Sequence, residues 1–311
     1  MRVAIVGAGA MGGVVGFYLA AVAEVVLVDP WAEHVAAINA GGISCEHAGV
    51  SVARPARAVS DPVDAGACDV AIVLVKARQT AWAAEACRAL LAPGAVAYTL
   101  QNGVGNREAL AAVLGDHRVG QGVTALGGTL LGPGRVRHAG MGPTTLSAAP
   151  DRAPAEALAA LLSAAGLPTG VSEDVEALLW GKLVVNVGIN ALAALLRVPN
   201  GALAELPAAR ALLAAAVDEA VAVARARGVL LPYADPVAHV EGVARATGAN
   251  RASMLQDVLR GAPSEIDAIN GAVVREGARL GVPTPLNSAL AALVAALDAS
   301  AAQRIEAEGT G

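Results

Sequence analysis

The sequence predicts an α/β domain built on a parallel sheet, followed by an all-α domain. Three observations carry this expectation. An apolar run at residues 3–6 opens into the hexapeptide Gly7-Ala8-Gly9-Ala10-Met11-Gly12, strand-like runs then alternate with helical stretches to about residue 100, and beyond about residue 168 the pattern is helical nearly to the end. Alternation of strand and helix implies parallel pairing. A chain of 311 residues also exceeds the usual size of a single core. The expected division is 1–168 and 169–311.

Residues 3–6 read as a strand, the hexapeptide as a turn, 13–21 as a helix and 24–29 as the next strand. The hexapeptide fits GxGxxG, in which the first glycine permits the tight turn, the second lets backbone approach a diphosphate and the third allows close helix packing. On that reading Gly7, Ala8, Gly9, Ala10, Met11 and Gly12 form the phosphate-facing turn of a Rossmann-type dinucleotide site. Asp29 ends the second strand, where a carboxylate accepts hydrogen bonds from a ribose 2′-hydroxyl. It would repel a 2′-phosphate, and Pro30-Trp31-Ala32-Glu33 brings no cation to neutralise one. NAD(H) is therefore favoured over NADP(H). Asp29 would equally suit capping of a helix beginning near Ala32. Trp31 either flanks an adenine or packs.

Further strands are expected at 69–76 and 95–100, separated by a helix at 80–91. Ligands of parallel sheets sit beyond the carboxyl ends of the strands. Lys76, which ends the first run, is therefore a candidate contact to ribose or phosphate. Asn102, just after the second, is a candidate contact to the nicotinamide region or substrate, although Asn-Gly is also ordinary turn chemistry. Residues 119–142 are short runs punctuated by glycine and proline, including Leu131-Gly132-Pro133-Gly134, and read as hairpin-like strands closing the domain. A helix is expected at 154–165.

The 22 basic and 27 acidic residues leave a formal charge of −5 with no basic block, which argues against nucleic acid or an anionic membrane surface as partner. Residues 3–23 are uncharged and long enough to cross a bilayer. Five glycines interrupt them, and a strand buried on both faces accounts for the apolarity. Cys45, Cys68 and Cys87 show neither CxxC nor metal-ligand spacing, so no metal is expected and the compartment reads as reducing cytoplasm. Lysine occurs only at Lys76 and Lys182, against twenty arginines. Arginine serves on solvated surfaces but cannot release a proton, so the two surviving lysines are worth locating.

In the second half, Lys182, Asn186 and Asn190 recur at i, i+4 and i+8 and make one polar stripe on an otherwise apolar helix. One ammonium and two carboxamides in such a setting point either to a ligand-lined cleft or to a polar network between helices. A second constellation joins Asn250 and Ser253 to Glu265, residue types that bind a carboxylate or hydroxyl and that also cap helices or favour a first helical turn.

Taken together, GAGAMG, LVKAxQ around Lys76, QNG at Asn102, KxxxNxxxN from Lys182 followed by PNG at Asn200, and SMLQD with the downstream EIDxINGxVxxxG resemble the ketopantoate reductase (2-dehydropantoate 2-reductase) family over nearly the whole chain. The resemblance implies a Rossmann-type domain joined to a helical domain, an active site in the cleft between them, and a step of pantothenate biosynthesis. It implies that Lys182 is the catalytic lysine and Glu265 the active-site glutamate. Asn186, Asn190, Asn200, Asn250 and Ser253 then lie around the substrate, Asn102 is shared by substrate and cofactor, and Lys76 contacts the cofactor. Members that use NADPH usually carry a basic residue just beyond the second strand, so Asp29 is a departure and NADP(H) is the family alternative.

The expected reaction is hydride transfer to the C2 carbonyl of a 2-keto acid, with Lys182 protonating the developing alkoxide. Glu265 would hold the lysine and the cofactor ribose, Ser253 and Asn250 the carboxylate side, and Asn186 and Asn190 the hydroxyl. Two other readings stay open: the same machinery acting on another small 2-keto or 2-hydroxy acid, and a dinucleotide-binding sensor without turnover. Alanine-rich helices such as 208–226 offer a face for pairing two copies through the helical domain as a homodimer.

Overall fold

The computed structural model describes residues 1–303; of the polar, frayed tail expected at 302–311, residues 304 onward lie outside the described residues. The chain divides into two compact units, Met1–Val175 and Glu176–Gly311. The first runs β1 (Arg2–Val6), α1 (Ala10–Leu19), β2 (Glu24–Val28), α2 (Ala32–Gly41), β3 (Ile43–His47), β4 (Val50–Arg54), β5 (Arg57–Val59), β6 (Cys68–Val73), α3 (Thr80–Leu90), β7 (Leu91–Thr99), α4 (Asn106–Leu114), β8 (Val119–Thr124), β9 (Gly127–Gly132), β10 (Arg135–Gly140), β11 (Thr144–Ser147), α5 (Arg152–Ala164) and β12 (Thr169–Ser172).

Eight of these strands form one sheet in the order β12-β11-β8-β7-β6-β1-β2-β5. From β8 to β5 every neighbour is parallel; β11 pairs antiparallel to β8, and β12 runs with β11. The central strands explain the uninterrupted apolar runs. Val3 and Ile5 of β1 pack into one hydrophobic cluster with Val25, Leu27 and Ile72, while Ala4 and Val6 pack into the opposite one with Val26 and Val73. Successive side chains of a strand point to opposite faces, so burial on both faces demands apolar residues at every position. Truncating Ile5 to alanine would cost about 2–5 kcal/mol.

Of the expected boundaries that the structure moves, two bear on where the candidate residues stand. β12 pairs in parallel with β11 in the register Thr144↔Thr169, so the first unit continues to Val175 rather than ending at residue 168. The run expected at 69–76 ends as a strand at Val73, and Lys76 instead opens a 3₁₀ turn, Ala77–Gln79. Residues 119–142 split between two sheets. β8 joins the large sheet, while the β9–β10 hairpin joins β3 and β4 in a separate sheet of order β4-β3-β10-β9.

The second unit consists, among the described residues, of helices: α6 (Val175–Leu196), α7 (Asn200–Glu205), α8 (Pro207–Ala226), α9 (Pro236–Ala246), α10 (Ser253–Leu259), α11 (Asn270–Leu280) and α12 (Pro285–Ala299), with short 3₁₀ turns. By length and composition α6 could cross a membrane, but 67% of its apolar window is buried within the protein. Its apolarity is that of a core helix, with Trp180, Leu183, Val184 and Val187 fully buried.

Candidate active site

In the first unit the glycine turn is built as the hexapeptide pattern requires. Gly7 adopts φ +93°, and a Cβ there would lie 2.6 Å from the Val75 side chain and 2.7 Å from its backbone nitrogen. A Cβ on Gly12 would fall 1.8 Å from the Gly7 carbonyl oxygen, so helix and turn can meet only without it. Gly9 is different: apart from its own backbone and its two chain neighbours, no heavy atom lies within 4 Å of where its Cβ would be. The fold does not need that glycine for space, whereas a ligand approaching the backbone would. Helix α1 starts at Ala10, earlier than expected, with Met11 and Gly12 in its first turn and no side chain capping its N-terminus. An uncapped N-terminus with its partial positive charge suits a diphosphate.

Asp29 anchors this turn. Its Oδ2 accepts from the Ala8 N–H at 2.8 Å and its Oδ1 from the Trp31 N–H at 3.0 Å. The residue at the N-cap of α2 is Trp31, without a side-chain cap, so Asp29 is not the cap of that helix. Each carboxylate oxygen keeps a lone pair beyond its backbone bond. Trp31 is 38% exposed and stacks on His34, with ring centroids 5.1 Å apart and planes 6° from parallel.

Lys76 and Asn102 sit on two loops tied together by a buried polar network that the sequence reading did not single out. Gln101 Nε2 donates to the Val75 carbonyl at 3.1 Å and to Thr80 Oγ1 at 2.9 Å. Thr99 Oγ1 donates to Gln101 Oε1 at 2.9 Å, and Thr80 Oγ1 to the Ala77 carbonyl at 2.7 Å. Asn106 Nδ2 closes the set by donating to the Asn102 carbonyl at 3.0 Å. The backbone before Lys76 and at Asn102 is thereby fixed by side chains that are themselves buried. The available signal was a glutamine just past the end of an apolar run.

In the second unit the polar stripe holds together. Lys182, Asn186 and Asn190 lie along α6, spanning about 12 Å at about 1.5 Å per residue. Lys182 is partly buried, and loss of solvation outweighs the attraction of the Glu265 carboxylate, bringing its ammonium down to about 8. Glu265 is itself buried and stands at the N-cap of the 3₁₀ turn Ile266–Ala268 without capping it, so helix-end chemistry does not account for it. Asn190 is buried, and its Oδ1 accepts from Ser253 Oγ at 3.2 Å and from the Met254 N–H at 3.4 Å, which joins the stripe to the start of α10. Ser253 is the first residue of that helix rather than its cap.

Asn200 and Asn250 meet through backbone, the Asn200 N–H donating to the Asn250 carbonyl at 3.0 Å. The Asn200 side chain donates to Thr247 Oγ1 at 2.9 Å, while its own Oδ1 is buried without a hydrogen-bond partner. An acceptor left bare inside a protein costs about 1–3 kcal/mol, and a ligand donor would relieve that cost. Lys182 with Glu265, Asn190 with Ser253, and Asn200 with Asn250 are thus brought together within this unit. No group of three or more His, Cys, Asp or Glu capable of holding a metal occurs among the described residues.

Comparison with known proteins follows the same division. A family model described as ketopantoate reductase PanE/ApbA matches residues 3–151, and its C-terminal counterpart matches residues 174–298. A 2-dehydropantoate 2-reductase of Halobacterium salinarum is 37% identical over 299 residues, covering 94% of this chain and 98% of the relative. The crystal structure of a PanE/ApbA family ketopantoate reductase from Ralstonia eutropha is 38% identical, with a TM-score of 0.90, over 97% of this chain and 100% of that one. The ternary structure of D-mandelate dehydrogenase with NADH and anilino(oxo)acetate is 31% identical, with a TM-score of 0.91 over 97% of this chain and 100% of that one.

Proposed function

The chain belongs to the ketopantoate reductase family and is a nicotinamide-dependent oxidoreductase acting on a CH–OH group; from this we propose that it reduces 2-dehydropantoate to pantoate, with NADH as the preferred cofactor and Lys182 as proton donor. The bound nicotinamide supplies the hydride. The observation that carries the reading is the pairing of Lys182 with Glu265: an ammonium lowered to about 8 by burial is poised to give up its proton near neutral pH. While still charged, it stabilises negative charge developing on the C2 oxygen, then protonates that oxygen through Nζ.

Glu265 keeps the ammonium oriented and its charge supported. Asn186, Asn190, Asn200, Asn250 and Ser253 hold the keto acid, and Asn102 serves both ligands. For the cofactor, Gly7 to Gly12 take the diphosphate, Lys76 a phosphate or ribose oxygen, Asp29 the ribose hydroxyls, and Trp31 flanks the adenine. The empty space beside Gly9 fits this assignment, and a carboxylate at Asp29 disfavours a 2′-phosphate. Steady-state kinetics with 2-dehydropantoate and each nicotinamide cofactor test it. No cofactor oxidation with that substrate would refute the substrate assignment, and equal or better kcat/KM with NADPH would refute the preference.

One observation favours a second reading. The D-mandelate dehydrogenase neighbour is described with NADH, the cofactor that Asp29 favours here. The same residues then act on another small 2-keto acid, and a panel of aliphatic and aryl keto acids with NADH separates the two.

A further inference from the structure

Ala8 is gripped on both sides. Its N–H is held by Asp29, and its carbonyl oxygen lies 2.9 Å from Nε2 of His34, a fully buried ring on α2. The other ring nitrogen, Nδ1, accepts from the Gly134 N–H at 3.0 Å. A ring nitrogen that accepts carries no proton, so His34 is the Nε2–H tautomer and donates to Ala8. Gly134 comes from the Leu131-Gly132-Pro133-Gly134 turn of the β9–β10 hairpin. It has φ +68°, and a Cβ there would lie 3.2 Å from the Ala37 side chain, so the close approach that delivers its N–H depends on glycine. The Trp31 ring covers one face of the imidazole.

The Ala8 carbonyl shares its peptide plane with the Gly9 N–H. In a planar trans peptide the two point in opposite directions. Pulling the carbonyl toward His34 therefore aims the Gly9 N–H away from the protein core, on the residue whose missing Cβ leaves open space. We propose that His34 is a positioning residue for the cofactor: locked as a donor by the β9–β10 turn, it orients the Gly9 N–H toward the diphosphate. The assignment rests on the reading that the dinucleotide lies on the glycine turn.

Two variants separate the ring nitrogens. Gln in place of His34 can put its Nε2 donor where the histidine Nε2 stands, whereas Asn can reach only the Nδ1 position. His34→Asn should weaken NADH binding about tenfold, the equivalent of one lost hydrogen bond of about 1.4 kcal/mol, while His34→Gln stays within about threefold of the unaltered protein. For both, kcat at saturating NADH and KM for the keto acid should stay within about twofold, because the loss is confined to cofactor binding.

Fluorescence titration with NADH and steady-state kinetics read these values. Equal effects of the two variants, or none, would overturn the role of His34. Absence of NADH and NADPH binding by the unaltered protein would instead overturn the cofactor reading beneath it. Should the Asn variant fail to fold, histidine-ring ¹⁵N spectra of the unaltered protein decide. A protonated Nε2 on His34 that shifts on NADH addition supports the proposal; a protonated Nδ1, or no shift, overturns it.

Discussion

Replacing Lys182 with Met should abolish turnover and also remove a pH-dependent stability cost that the lysine carries. The ammonium is lowered from 10.5 to about 8, chiefly by burial. At about 1.36 kcal/mol per pKa unit, the folded state below pH 8 is penalised by about 3 kcal/mol for keeping that charge. The sign follows from proton counts. Between about 8 and 10.5 the unfolded chain binds the proton and the folded one does not, so the lysine's contribution to stability rises with pH across that window and is flat on either side.

Glu265 complicates the absolute difference, because Lys182→Met leaves a buried carboxylate without its cation, a cost of about 3–5 kcal/mol. That offset does not follow the lysine's titration. The informative quantity is therefore the difference in unfolding free energy between the two proteins as a function of pH. From about pH 7 to about pH 10 it should move by about 2.5 kcal/mol in favour of the unaltered protein. Urea unfolding at several pH values measures it, provided the slopes with denaturant agree. A pH-independent difference would refute the burial argument for Lys182, and retained turnover would refute its role as proton donor.

Three further outcomes are expected. For keto-acid reduction kcat/KM should be level below about pH 8 and fall about tenfold per unit above it, as Lys182 loses its proton; a flat profile to about pH 10 would show that another group gives the proton. Asp29→Asn keeps an acceptor for Ala8 but removes the charge, and should raise the NADPH to NADH ratio of kcat/KM about tenfold; an unchanged ratio would mean that Asp29 does not set cofactor choice. Gly9→Ala should fold normally, since its Cβ meets nothing, yet bind the cofactor at least about tenfold more weakly, whereas Gly12→Ala should destabilise the protein against the Gly7 carbonyl. Normal cofactor affinity in Gly9→Ala would remove the argument from that open space.

The parallel sheet was legible because strands buried on both faces need an apolar residue at every position, and the helical unit because α6 keeps an apolar surface around a three-residue polar stripe. The β3–β4 and β9–β10 strands were less so. Their sheet is small and partly exposed: β3 and β10 do alternate, with Ile43, Cys45, Val136 and His138 buried between Ser44, Glu46 and Arg137, but over only a few residues and with a histidine among the buried positions, and β4 buries none of its residues. The proposed site residues could be named from their spacing and the family resemblance, but what holds them could not. Gln101 and His34 each act through a backbone carbonyl 26 residues away, Thr80 receives the Gln101 amide across 21, and a contact between His34 and Gly134 leaves no local pattern at either residue.

The bond between Ser253 and Asn190 settles the hydrogen inventory of that part of the stripe. Asn190 Oδ1 is engaged twice, by the Ser253 hydroxyl and the Met254 amide, so its carboxamide can turn only its NH₂ outward. Ser253 has spent its single hydrogen and retains only lone pairs. While that bond persists, Asn190 seeks a partner rich in electrons, such as a carboxylate or ketone oxygen, and Ser253 seeks one that brings its own proton, such as an alcohol. For the proposed site this reverses the division of roles expected for the reaction, in which Ser253 takes the carboxylate side and Asn190 the hydroxyl. The polarity of each partner is thus written by its neighbour within the protein before any substrate arrives.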